Sequence, residues 1–179
     1  MSIDVRRPGP EDVDELLGFF GRVPAGERVF FKEEILDRSA VERWLAPGAP
    51  GRRALAVDDE EVVGYLAVVP LLGWSDHVGE IRMVVDPDRR RQGLGRMLAR
   101  RAVLDAIQCG LSKLVVEVVA EQDRAVAMFE ALGFRAEGLL RDHVRDRDGR
   151  LHDLIVLGHV VDEQWDAMAT AGIADALSD

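Results

Sequence analysis

The chain has 179 residues, with 23 Lys plus Arg against 33 Asp plus Glu and a formal net charge of −10. That is the length of one domain spanning residues 1–179, able to bury about 70% of the surface its unfolded chain would expose. So large an acidic surplus excludes sequence-independent nucleic-acid binding, which rests on neutralising many phosphates.

In chain order, residues 3–7 (IDVRR) read as a first strand. Acidic residues stand in the N-terminal stretch where an export signal would carry its apolar core, so no such signal is read and a cytoplasmic location is expected. Residues 9–23 form a helix with acidic residues in its first turn, where they suit the positive helix end. Residues 39–46 (SAVERWLA), joined to the KEEILD before them, give another, with Ser39 as candidate N-cap. Residues 45–53 (LAPGAPGRR) are a loop within the domain. Residues 53–58 and 62–69 are strands joined by the acidic turn Asp58-Asp59-Glu60-Glu61, and residues 78–85 (VGEIRMVV) are a further strand. The longest apolar run, residues 62–74, contains Pro70 and falls short of the roughly 20 residues a membrane helix needs.

A long helix follows over residues 93–108, closed by Gly110. Cys109, the single cysteine, allows no intramolecular disulfide and is expected as a small buried or half-buried thiol. Residues 113–120 (KLVVEVVA) are a strand too β-branched and short for a helix. Residues 123–132 are a helix ended by Gly133. Residues 134–144 and 151–161 flank a hairpin at Asp148-Gly149, and residues 162–177 read as a C-terminal helix. Early antiparallel strands with a βαβ-like crossover in the middle give a mixed α/β sheet.

The densest chemistry lies in "VVDPDRRRQGLGRML". Arg89, Arg90, Arg91, Arg96, Arg100 and Arg101 crowd beside Gly93 and Gly95 at a strand–loop–helix junction. First-turn amides have no intrahelical acceptor, the dipole adds positive charge, and glycine lets an anion approach the backbone. The stretch lacks the Gly-Lys-Ser/Thr of a P-loop and the third glycine of a dinucleotide fingerprint.

It resembles the acyl-CoA pyrophosphate loop of the GNAT superfamily: Gln or Arg, two residues, Gly, one residue, then Gly or Ala. Arg90, Gly93 and Gly95 fill those places. "LVVEVVAEQDRAVAMFEALGFRAEG" resembles the family's second segment, with Gln122, Ala125, Phe129, Gly133 and Phe134 at its marked positions. The likeness spans most of residues 54–160. It implies the GNAT fold: an α/β architecture with a mixed, mostly antiparallel central sheet of six to seven strands flanked by helices, splayed between two central strands.

The resemblance also implies acetyl-CoA as co-substrate. Its pyrophosphate would sit on Arg90, Arg91, Gln92, Gly93, Leu94, Gly95 and Arg96. Its pantetheine arm would pair with the backbone of Met83, Val84 and Val85 and meet Gln122 and Phe129. An amine acceptor, protein lysine, N-terminal amine or small amine, would enter from the other side of the splay. Gln122 stands where members carry Asn, and Phe129 where many carry the Tyr that protonates the departing thiolate. The chain's only tyrosine, Tyr65, is expected to pack rather than replace it.

A lysine amine is mostly protonated at pH 7, so a base or water relay must take its proton. Glu80 is the lead base, sharing a strand face with Arg82 and Val84. Glu117, in the midst of "LVVEVV", is expected as a buried hydrogen-bonding carboxylate and is the rival base. The Val85 amide is expected to stabilise the oxyanion. Asp142, His143, His152 and Asp153 cannot all converge, since adjacent strand residues face opposite ways. No metal is therefore expected, and their hairpin is read as a border of the acceptor cleft.

The expected activity is N-acetyl transfer by direct, ternary-complex reaction, nearest in pattern to bacterial protein-lysine acetyltransferases. Small-amine or polyamine acetylation, and a non-catalytic acyl-CoA-binding sensor, are the alternatives. A homodimer stays open as an assembly state.

Overall fold

In the computed structural model, residues 3–28, 31–32 and 34–161 are described; the expected C-terminal helix lies outside them. The order is β1 (Asp4–Arg6), α1 (Val13–Arg22), α2 (Ala25–Arg28), α3 (Arg38–Leu45), β2 (Arg52–Asp58), β3 (Glu61–Pro70), β4 (Val78–Val85), α4 (Leu94–Gln108), β5 (Lys113–Val119), α5 (Asp123–Glu130), β6 (Arg135–Arg145) and β7 (Leu151–Val160). One seven-stranded sheet runs β1-β2-β3-β4-β5-β7-β6. The mixed α/β expectation holds: among the described pairings, only β4 and β5 run parallel.

Helices cover both faces of the β2–β4 part of the sheet. Ile81, Val116 and Phe129 pack with Leu94, Leu98 and Phe134 on the side of α4 and α5. On the other side, α1 and α3 cover β2 and β3 through Phe19, Phe20, Val41 and Tyr65. Phe20 lies edge-on to Tyr65 (5.3 Å between centroids) and to Trp44 (6.4 Å). Tyr65 is thus a packing residue, as expected.

Two local expectations are corrected. Asp37, not Ser39, caps α3: its carboxylate accepts the Ser39 amide at 2.9 Å. Residues 34–37 are a turn closed by Asp37 N–H to the Glu34 carbonyl rather than helix. A carboxylate in the Asx position outcompetes a serine two residues later. Cys109, expected buried or half-buried, is exposed at the end of α4, where Arg52 Nε lies 3.2 Å from its sulfur.

The feature that positions the site is the parallel pair. β4 and β5 are paired only from Val78–Lys113 to Ile81–Val116, and from there they part. The rest of β4, Arg82 to Val85, and of β5, Glu117 to Val119, form walls of a cleft.

Candidate active site

The cleft between the parted strands has a volume of about 1170 Å³, above the usual range for small-ligand pockets. Its β4 wall follows from strand geometry. Asp86 N–H bonds the Val63 carbonyl at 2.9 Å, and Leu71 N–H bonds the Val78 carbonyl at 2.9 Å. Backbone groups alternate sides along a strand, so Val84 and Arg82 turn theirs toward β3, while Met83 and Val85 turn theirs toward the open splay. Of the three residues expected to pair with a pantetheine arm, Met83 and Val85 present backbone groups to the open splay. Val84 does not; its groups face Tyr65, and its side chain is buried among the α1–α3 core.

Beyond β4, Asp86 caps a short 3-10 turn, Pro87–Arg89, by accepting Asp88 N–H at 3.0 Å. The chain then reaches α4 through Arg91 (φ 64°) and Gly93 (φ 86°), both left-handed. Successive amides in such a loop point inward and form an anion-binding nest. The first α4 bond is Met97 N–H to the Gly93 carbonyl at 3.0 Å, leaving the Leu94, Gly95 and Arg96 amides without an intrahelical acceptor. No side chain caps this end. A Cβ added at Gly93 would meet no protein atom, so the space outside it is open; at Gly95 it would meet Met128 Sδ at 3.1 Å. Gly93 therefore serves the turn and the approach, and Gly95 the close packing of α4 on α5.

The arginines do not act as one patch. Arg90, Arg91 and Arg96 line the cleft. Arg90 is also paired through both terminal nitrogens with Glu27 of α2. Arg89 turns away to Asp58 at 2.9 Å, and Arg101 to Asp105 at 3.0 Å. Of the six arginines in the run, three line the cleft. Gln92 points back toward the Asp88 carbonyl, and Leu94 is buried in the core, so each offers the loop backbone alone.

Gln122 precedes α5 and lines the cleft, as does Phe129. Phe129 is buried, 5.1 Å from the Phe134 ring and edge-on to it. Its phenyl carries no proton to give.

On the opposite face of the splay lies a set of charges that the sequence brought together only in part. Glu80 is buried and shares its face with Arg82, as expected, and Arg82 reaches its Oε2 at 2.8 and 3.1 Å. Its other oxygen holds Lys32 Nζ, and the same ammonium lies 3.0 Å from Glu117 Oε2. Burial alone pushes the Glu80 carboxyl up, but hydrogen bonds from Lys32 and Arg82 outweigh it and leave it below the ordinary carboxylate value. Burial likewise lowers Lys32, and its bonds to Glu80 and Glu117 more than reverse that. Glu117 is not the buried residue expected: its side chain is 28% exposed and lines the cleft. β5 is left uncovered by α1 and α3 beyond the pairing with β4, so its outward face is open.

Lys32 was missed by sequence reasoning. The available signal was composition: Lys32 and Lys113 are the two lysines among 23 basic residues.

The histidine–aspartate residues of the β6–β7 hairpin separate as expected. His152 Nδ1 lies 2.9 Å from Glu121 and Nε2 2.9 Å from Asp146, whereas Asp153 accepts the Asp142 amide at 2.8 Å. His143 lines the cleft, so the hairpin does border it. Among the described residues no cluster is arranged to hold a metal, and no helix is long and apolar enough to cross a membrane.

Comparison with known proteins agrees with this geometry. The chain is 35% identical over 82 residues to the ribosomal protein bS18-alanine N-acetyltransferase of Escherichia coli, covering 46% of this chain and 55% of that one. Its Salmonella typhimurium counterpart is 33% identical over 134 residues, 75% of this chain and 79% of its own length. The match to the E. coli protein thus spans about half of that protein. A Salmonella typhimurium structure described as an acetyltransferase with its cofactor acetyl-CoA superimposes with a TM-score of 0.78 at 17% identity, covering 91% of this chain and 96% of that chain. The family model for the acetyltransferase (GNAT) family matches residues 22–134. That span runs from the end of α1 through the cradle to Phe134, and it places the chain in the GNAT acetyltransferase family.

Proposed function

We propose that this protein moves an acetyl group from acetyl-CoA to a primary amine on another protein, an N-terminal amine or a lysine, by direct transfer. The observation that carries this reading is the division of the splay: an uncapped helix start at one mouth and two carboxylates already gripping a primary ammonium at the other. The relatives it resembles are alanine N-acetyltransferases of a ribosomal protein, and the acetyl-CoA-bound neighbour supports the donor.

The chemistry divides between the two carboxylates. Glu80 was the expected base, but Arg82 and Lys32 commit both of its oxygens and hold it ionised. A carboxylate so stabilised anchors an ammonium better than it takes its proton. Among the described contacts, Glu117 binds Lys32 through one oxygen only. Glu117 therefore takes the proton, directly or through water, once an acceptor ammonium replaces Lys32. The neutral amine attacks the thioester carbon, the oxyanion leans on the Val85 amide, and the C–S bond breaks. With Phe129 in the place of a phenol, the adduct's remaining surplus N–H proton passes through water to the thiolate.

The test is free-thiol release with purified protein, acetyl-CoA and three acceptors: a peptide with N-terminal Ala, an acetylated-terminus lysine peptide and a polyamine. Product mass identifies the modified amine. Release with a peptide supports the reading; release with the polyamine alone replaces the acceptor class. The second reading, a non-catalytic sensor, draws on the phenyl at Phe129. It predicts a raised Tm with acetyl-CoA, since a ligand bound only by the folded state stabilises it, and no thiol release with any amine.

A further inference from the structure

We infer that Lys32 is itself an acceptor: the protein acetylates its own Lys32 Nζ in cis. This rests on the proposed transferase reading and adds a modification site to it. Lys32 sits on the segment between α2 and α3, outside helix and strand, and its side chain is 49% exposed. Its ammonium occupies the place the proposed acceptor must take, held by Glu80 and 3.0 Å from Glu117. It lines the same cleft as Met83, Val85, Gly93 and Arg96. The ammonium of Lys32 thus stands as the chain's own copy of a substrate lysine.

Residue type supports the site. In a chain with two lysines among 23 basic residues, the position facing the two carboxylates is lysine. Arginine would make equal or better ion pairs there but stays protonated in proteins. Lysine alone of the two can shed its proton and attack. Lys113, the other lysine, pairs with Glu137 at 2.7 Å outside the cleft and serves as an internal control.

The step balances. Lys32 loses one proton to Glu117 or water before attack. Its lone pair then attacks the thioester carbon of acetyl-CoA, and the amide C–N bond forms as C–S breaks. A second proton leaves the nitrogen and passes through water to the sulfur, so CoA departs as the thiol. The chain loses one positive charge and Glu80 and Glu117 lose their shared cation. Because the held ammonium is more basic than ordinary lysine, the reaction is slow near pH 7 and rises about tenfold per pH unit while the neutral fraction stays small.

The test uses the full chain with isotope-labelled acetyl-CoA and peptide mass mapping. The expected result is one label on Lys32, none on Lys113, at a rate independent of protein concentration. Lys113→Arg should leave labelling unchanged, while Lys32→Arg should remove it. Glu117→Gln should slow it by tenfold or more, in protein shown by Tm to be folded. A second readout needs no turnover: with only two lysines, 15N-lysine NMR resolves both side chains, and unacetylated CoA should shift the Lys32 signal and leave Lys113. Thiol release onto a peptide with Lys32 unlabelled overturns the inference and leaves the transferase standing. Equal labelling of both lysines overturns it as non-enzymatic acetylation. No thiol release with any acceptor, and no Lys32 label, brings down the transferase reading itself.

Discussion

The two mouths of the splay are built on different principles. The α4 mouth is made of backbone: left-handed residues at Arg91 and Gly93 and amides with no acceptor, all within one short stretch. The carboxylate mouth is made of side chains from three distant places, Lys32, Glu80 on β4 and Glu117 on β5. A local device depends on one loop keeping its dihedrals. An assembled device depends on the parallel register of β4 with β5 and on the seating of the α2–α3 segment. Substitutions should therefore damage the first through binding and the second through chemistry.

The largest effect should break the assembled side. Glu117→Gln keeps the shape and removes the basicity, so kcat should fall by roughly 10²–10⁴, the usual range for general acid–base catalysis. Acetyl-CoA affinity, measured by calorimetry, should stay near wild type. Next comes the local side. Gly93→Val puts a β-branched residue at φ 86°, a strain of order 1–3 kcal/mol. Where that strain falls on the liganded loop, at about 1.4 kcal/mol per tenfold it becomes a loss of acetyl-CoA affinity of roughly fivefold to a hundredfold. Thermal shift with and without acetyl-CoA checks it: the ligand-induced rise should shrink while the unliganded protein still melts cooperatively.

How much of each mouth could be read in advance follows from the same contrast. The glycine-paired start of α4 was legible because Arg90, Gly93 and Gly95 mark it in six residues, and the strand–helix alternation around it follows from hydrophobic period alone. The mixed sheet was legible for that reason too. The grip on Lys32 was not, because nothing local in "FFKEE" signals Glu80 and Glu117; the register Glu80–Val115 is what sets Glu117 two residues further along the same face. The exposure of Glu117 was missed because a carboxylate within a β-branched run reads as central and covered, whereas the splay and the reach of α1 and α3 leave that face open. The cap of α3 misled for a smaller reason: Asp37 and Ser39 are both good capping residues, and the Asp37 carboxylate takes both the amide and the hydroxyl of Ser39.

Smaller effects sharpen the comparison. Replacing Arg90 and Arg91 together with Ala should weaken acetyl-CoA several-fold, with exposed pairs contributing about 0.2–1 kcal/mol each. Part of the loss will come from freeing Glu27 of α2 rather than from lost phosphate contacts. Isothermal titration at low and high salt separates the two, since only the direct charge contact is screened over a Debye length of about 8 Å at physiological ionic strength. Pantetheine, which lacks the nucleotide phosphates, should lose less.

The smallest expected effect lies at the cleft border. Hydrogen bonds to Asp146 and Glu121 hold the His152 imidazole above its ordinary value. A raised folded-state value contributes stability that is present below the unfolded value of about 6.5 and lost as pH rises through the folded one. NMR titration should place His152 above that reference, and His152→Gln should flatten the pH dependence of Tm above about pH 6.5. Glu80 has the opposite sign. Its depressed value contributes stability above the unfolded reference of about 4.3, lost as pH falls through the folded value. Glu80→Gln should therefore lower Tm near pH 7 and converge on wild type in acid.

The division of labour between Glu80 and Glu117 is the central claim, and the pH–rate profile of Glu117→Gln with the best peptide acceptor tests it most directly. The account predicts a deficit of at least a hundredfold near pH 7 that shrinks as pH rises, because a growing share of the acceptor amine is then neutral without help. A Glu117→Gln variant as fast as wild type near pH 7 would contradict it and return the proton to Glu80 or to water alone.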